Sequence, residues 1–339
     1  MRFTGSGGRG AVLQATVTSD CTCAGAYDRG MHPPLPSLPS LPLRTFLLPF
    51  LRRCPGTAMR PAWSARLMNY LLLALSLGLV QGCAAPGPSA DADAAWLARL
   101  ERWPTVDALL LGEQHDADAH QRWQQGTVRW LADRGRLAAV VLEMADAGAG
   151  TDGLPQDADE AQVRAALLWR DEAWPWQRYA PVVMAAVAAG VPVRGGNLPR
   201  SRMRGAMHDT ALDTHLPPAA LALQRQAIDD GHCGLIPADR LMPMVRVQLA
   251  RDASLARAVV QARQDGRTVL LVAGYGHARR DVGVPTWLPA GFTSKVAIAQ
   301  AEPASEAIKS EADHIHLTPA LPPQDHCAAL RARPPGAQR

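Results

Sequence analysis

The sequence predicts an α/β domain: an open, mostly parallel sheet flanked by helices, with its ligand site at the carboxyl ends of the strands. Three observations lead there. Between residues 96 and 330 short runs rich in Val, Leu and Ala alternate with longer amphipathic stretches, the pattern of strands joined by crossover helices. The runs are apolar at consecutive positions, as strands buried on both faces are. Polar clusters follow four of the runs directly, and in an open parallel sheet that edge gathers ligand-binding loops.

Taken in order, residues 106–111 (VDALLL) read as the first strand and 119–134 as the helix after it. Residues 138–142 (AAVVL) form a second buried strand. A helix over 176–189 stops at Gly190, a natural C-terminal break, before a strand at 191–194. The stretch 239–265, with Leu241, Val245, Leu249, Leu255 and Val259 at near-helical spacing, predicts the longest helix. Strands follow at 267–273 (RTVLLVA) and 295–299 (KVAIA), and the polar stretch 301–314 reads as a loop.

The chain of 339 residues has room for two average domains, but its front reads otherwise. Residues 1–58 mix Gly-rich and Pro/Leu-repeating pieces without helical or strand periodicity and read as a disordered leader, or as a segment ahead of the true start at Met59 or Met68. From Met59, Arg60 and Arg66 precede an apolar run over 70–80, the order of a signal peptide covering 59–82. That run is about half the ~20 residues a spanning helix needs. Val80-Gln81-Gly82-Cys83 has the form of a lipobox, so Cys83 is expected to carry acyl chains that tether the protein to a bilayer. Residues 83–95 then serve as a flexible tether and 331–339 as a disordered tail.

Six Cys are present. Three lie in the leader and Cys83 is the lipidation site, which leaves Cys233 and Cys327 as an expected disulfide in an oxidising compartment. The formal net charge of +4 is modest and the basic residues are scattered, which points away from nucleic acid.

The polar clusters carry the chemistry. Gly112-Glu113-Gln114-His115 follows the first strand, Glu143 ends the second, Asn197 follows the third and Gly274-Tyr275-Gly276-His277 the fourth. Glu113 could instead cap the next helix, and each His could be a hydrogen-bonded core residue. Glu143 ends an apolar run, where an unpaired carboxylate is costly, and so calls for a cationic or metal partner. The two Gly-x-x-His motifs combine a tight turn with a nitrogen that binds iron, zinc or a proton.

LLLGEQHD (109–116), the LEM around Glu143, GNLPR (196–200), HCG (232–234) and GYGHARRDVGVP (274–285) together resemble the ChaN family of haem-binding lipoproteins, related to the Tiki, TraB and erythromycin-esterase group. The resemblance implies a haem-binding α/β domain on an outer-membrane lipoprotein engaged in iron uptake, facing the periplasm. It makes His115, Tyr179, Asn197, Arg200, Tyr275, His277 and Arg279 candidate haem contacts. Tyr179 and Tyr275 are the two Tyr after the tether, and either is a possible phenolate ligand to haem iron. Arg200 and Arg279 suit propionates, or salt bridges to Glu113 or Glu143. His232 has no assigned role, and Met242, Met244 and several Trp could wall a porphyrin or fill the core. A haem-bridged homodimer and an outer-membrane haem or iron receptor are the expected partners besides haem and lipid.

A hydrolase is the alternative, with Glu113, His115, Glu143 and His277 as catalytic residues and with Glu113, His115 and His277 ligating a divalent metal. The chain lacks a His-Glu-x-x-His helix motif and a Gly-x-Ser-x-Gly nucleophile.

Overall fold

The computed structural model of the protein describes residues 88–303 and 305–332. The leader, the signal segment 59–82 and Cys83 lie outside the described residues, as do 333–339.

Six strands form one all-parallel sheet: β1 (Ala108–Glu113), β2 (Leu137–Asp146), β3 (Val193–Asn197), β4 (Thr268–Gly274), β5 (Ser294–Ala301) and β6 (His314–Thr318), in the order β3-β2-β4-β1-β5-β6. β1 lies near the middle, where Leu110 pairs with Leu271 of β4 and Val296 of β5. Every residue of β1 and β4 is buried, as consecutive apolar runs require. Residues alternate between the faces. Leu109, Leu111, Val140, Leu142 and Val272 enter one core; Leu110, Val141, Leu271 and Ile298 enter the other.

The first core is closed by α1 (Pro88–Arg102), α2 (Asp118–Asp133), α3 (Glu160–Ala166) and α4 (Trp176–Ala188). Trp96 and Leu100, one helical turn apart, seat α1, and the Trp96 indole N–H donates to Thr127 of α2 at 2.8 Å. α1 therefore begins inside the stretch expected to be a tether. α5 (Arg200–His208) and α6 (Pro218–Gly231) follow β3, and α7 (Ala238–Gln261) is the longest helix. The second half of α7 closes the other core through Leu255, Ala256 and Val259. Its first half carries Val245 and Leu249 into a smaller cluster with Leu216 and Val282. The one-turn helix α8 (Tyr275–Ala278) follows β4 at once.

The remaining helices, α9 (Glu306–Lys309) and α10 (His326–Arg331), are short; α9 lies in the stretch read as loop. Cys233, just after α6, is joined to Cys327 of α10 with Cα atoms 5.6 Å apart, as expected. Gly190 takes φ +71° beyond α4, in the left-handed region where Gly is unstrained. Two expectations shift. The third strand runs over 193–197, so Asn197 ends it instead of following it. β6 begins at His314, where the stretch read as loop ends, and adds a strand beyond those expected; its His314 and His316 stack on Trp96 and Trp123, each with ring centroids 4.9 Å apart.

No helix among the described residues is long and apolar enough to cross a membrane.

Candidate functional site at the carboxyl edge

Glu113 and Glu143 leave the sheet on opposite faces. Glu113 shares the face of Leu109 and Leu111 and is 1% exposed. A buried carboxylate needs donors for its lone pairs, and it has four. The amides of Gln121 and Gln124, both on α2, donate to Oε2 at 2.7 Å, while the Tyr179 hydroxyl on α4 and the His115 Nδ1–H donate to Oε1 at 2.8 Å. Glu113 is thus no helix cap, and α2 begins without a side-chain cap. Burial, then the charge of Glu113, push the Tyr179 phenol far above its ordinary range, so it stays a hydroxyl donor.

Glu143 faces the α7 and α8 side. Its Oε2 accepts the Gly274 backbone N–H at 2.7 Å, and its Oε1 lies 3.3 Å from His277 Nε2. The other nitrogen of that ring donates to Asp252 Oδ1 at 2.6 Å, and the Gln248 amide sits 3.2 Å away. Burial pushes His277 down, yet the charges of Glu143 and Asp252 on either side lift it to about 10. Burial would raise Glu143, but the charges of His277 and His115 hold it well below the carboxylate range. Burial wins for Asp252, lifted to about 6. The partner that Glu143 calls for is therefore an imidazolium.

His115 joins the halves across the end of the sheet. Nδ1 meets Glu113, Nε2 is 3.8 Å from Glu143, and Trp174 packs edge-on against the ring at 4.8 Å. Burial pushes its pKa down, but the hydrogen bond to Glu113 and the charges of Glu143 and Glu113 outweigh this and raise it. Its side chain is 39% exposed, whereas Glu113, Glu143, His277 and Asp252 are each buried. A Cβ on Gly274 would fall 2.8 Å from His115 Nε2, so this Gly is required for the close approach.

Tyr275 follows Gly274 and is 40% exposed. Arg279 pairs with Asp281, its Nε 2.9 Å from Oδ1, and not with Glu113 or Glu143. Arg200 opens α5 at the surface. Asn197 is buried, its Oδ1 accepting the N–H of Leu198. His232 bonds the carbonyl of Ile228 at 2.7 Å, next in sequence to the disulfide-bonded Cys233. Met242 packs against the small third core, and Met244 is half-buried on the same helix. Among the described residues no three His, Cys, Asp or Glu side chains converge as metal ligands, since Glu113 and His277 stand on opposite faces.

Sequence reasoning missed Gln121, Gln124, Asp252 and Trp174. Asp252 had a signal: it lies three residues beyond Leu249 and three before Leu255, on the apolar stripe of α7. The two Gln, three apart on α2, had none.

The sequence model of the family described as "Haem-binding uptake, Tiki superfamily, ChaN" matches residues 99–288. Among solved structures, ChaN of Campylobacter jejuni, described by its cofacial haem binding, aligns with a TM-score of 0.52 at 20% identity, covering 66% of this chain and 90% of that one. That likeness shows a shared fold. A Bacillus cereus protein aligns at a TM-score of 0.29 and 12% identity over 58% of this chain and 66% of its own, too remote to support an argument. No curated protein matches the chain significantly.

Proposed function

The chain belongs to the ChaN haem-binding uptake family of the Tiki superfamily, and from that premise we propose that it binds haem at the carboxyl edge of its sheet, with Tyr275 as the axial iron ligand. One observation carries the choice. Of the two candidate phenols, Tyr179 is buried and committed to Glu113, whereas Tyr275 is 40% exposed where β4 turns into α8. The surroundings fit a porphyrin: an exposed phenol, a half-exposed imidazole and an indole occupy one edge. The bound group would supply a ferric centre that accepts a phenolate. Arg200 and Arg279 would serve its propionates, and Arg279 would have to share its guanidinium with Asp281.

In this reading the protein is a lipoprotein anchored through Cys83 to the outer membrane and facing the periplasm, where it takes part in haem and iron uptake. Support comes from the basic, apolar and Gly-Cys order of residues 59–83 and from the disulfide, which suits an oxidising compartment. A haem-bridged homodimer and a haem or iron receptor are the proposed partners. Loss of lipid labelling in Cys83→Ala tests the anchor.

Absorption titration of the purified chain with ferric haem, followed by native mass measurement, tests the binding. A saturable, shifted haem band at defined stoichiometry is expected in the wild type and is lost in Tyr275→Phe. Unsaturable binding in the wild type sinks the proposal.

The hydrolase reading has one observation in its favour, the Asp252-His277-Glu143 alignment, which resembles an oriented acid–base pair. His277 is 5% exposed, leaving His115 to meet a substrate. Metal-independent hydrolysis that disappears in Glu113→Gln would favour it.

A further inference from the structure

Residues 147–152 leave β2 and fold back along the edge strand β3. Gly150 bridges Arg194, and the N–H groups of Thr151 and Gly195 donate to the Val193 and Ala149 carbonyls. Between this loop and the second half of α7 lies a cleft of about 380 Å³, within the range of small-molecule sites. None of its lining residues belongs to the cluster around Glu113, His115, Glu143, Tyr275 and His277. The loop contributes small residues, Ala147 to Gly150, and α7 contributes Ser254, Arg257 and Gln261. These three stand at spacings of three and four residues, on one face of the helix.

Ser254 is 6% exposed. A Ser within a helix ordinarily turns to water or bonds the carbonyl four residues earlier, as Thr127 of α2 does with Trp123 at 2.9 Å. Ser254 does neither: among the described residues nothing bonds its hydroxyl. A buried hydroxyl without a partner is destabilising, and Ala is the better helix former. Its charged neighbours differ in their commitments. The Arg194 guanidinium donates to both carboxylate oxygens of Asp152, at 3.1 and 2.7 Å, so those two charges cancel. Arg257 has no ion pair and no hydrogen bond among the described residues. The cleft therefore keeps one uncompensated positive charge beside one buried, unpartnered hydroxyl.

We propose that this cleft binds a small organic anion through a carboxylate or phosphate group, held by the Arg257 guanidinium and the Ser254 hydroxyl. A guanidinium presents two parallel donors to such an oxyanion, and the hydroxyl adds a third. Gln261, one turn beyond Arg257, serves an adjoining polar group of the ligand. The cleft is larger than an oxyanion alone, and the rest of the ligand lies over the Ala and Gly side of the loop, where little side-chain bulk keeps it from the backbone. The site is independent of the haem reading.

The test is titration of the haem-free full chain with acetate and, separately, with inorganic phosphate at constant ionic strength, followed through the amide NMR signals of Gly148 and Gly150. A saturable shift is expected. Saturation by acetate alone assigns a carboxylate, by phosphate alone a phosphate, and by both an oxyanion site that accepts either. Arg257→Gln removes the saturation. Ser254→Ala weakens it about tenfold, the effect of one hydrogen bond to a charged group, while its thermal midpoint holds or rises because no bond within the protein is lost. Unsaturable shifts with both anions, or equal saturation in wild type and both variants, overturn the site. A lowered midpoint in Ser254→Ala with unaltered anion binding also overturns it, by giving the hydroxyl a structural role.

Discussion

Tyr179→Phe separates the two phenols. The ring is 1% exposed and packs against Trp169 and Trp174, and Phe preserves that packing. What disappears is one O–H donated at 2.8 Å to Glu113, leaving that buried carboxylate with three donors in place of four. Hydrogen bonds to charged groups contribute about 1.5–3 kcal/mol. The lower part of that range applies, because Gln121, Gln124 and His115 still solvate the charge. A loss of about 2 kcal/mol lowers the thermal midpoint of a domain of this size by roughly 4–8 °C. Haem titration of the same variant should give a band and affinity close to wild type, in contrast to Tyr275→Phe. Differential scanning calorimetry and the titration read the two effects separately. If Tyr179→Phe abolishes the haem band at an unchanged midpoint, Tyr179 is not the committed donor described above, and the assignment of Tyr275 fails with it.

Two further outcomes follow from features outside the edge. The Cys233–Cys327 disulfide closes a separation of 94 residues, which in the chain-entropy model corresponds to about 4.6 kcal/mol; the double Cys→Ser variant should melt well below the oxidised protein, and equal midpoints would show that the link adds no stability. Burial lowers His120 to about 4, His314 to about 4 and His316 to about 3. Because the unfolded chain binds protons first, their contribution is whole above about pH 6.5 and falls as pH drops toward 4 and 3. Urea unfolding across that range should show steadily declining stability, with a shallower decline in His316→Gln; a flat profile would contradict the neutral state.

The legible parts of the fold were the strands buried on both sides. LLL in β1, AAVVL in β2 and VLLVA in β4 are apolar at every position because helices cover both faces. β6 was not legible, since its inward positions hold His314 and His316, whose fit depends on Trp96 and Trp123 far away in sequence. α1 was hidden behind an Ala-, Asp- and Pro-containing start that reads as tether until Trp96 and Leu100 are seen to share one buried stripe.

The edge was legible as a place but not as an arrangement. Four polar clusters after four strands located it, and treating Glu113 and Glu143 as members of one set followed from proximity alone. Strand parity argues otherwise and was available in the sequence. Side chains two apart share a face, so Glu113 goes with Leu111 and Glu143 with Val141. Once β1 and β2 are placed in one sheet, the remaining question is whether Leu111 and Val141 belong to one core or to two. They belong to two, which sends one carboxylate to the Gln and Tyr donors of α2 and α4 and the other to the imidazolium beneath α7. His115, beyond the last residue of β1 and free of the pleat, lies 2.8 Å from Glu113 and 3.8 Å from Glu143. The second Gly-x-x-His does not repeat this role, because its His lies inside a helical turn and is drawn down to Asp252, leaving Tyr275 as the member of that motif at the surface.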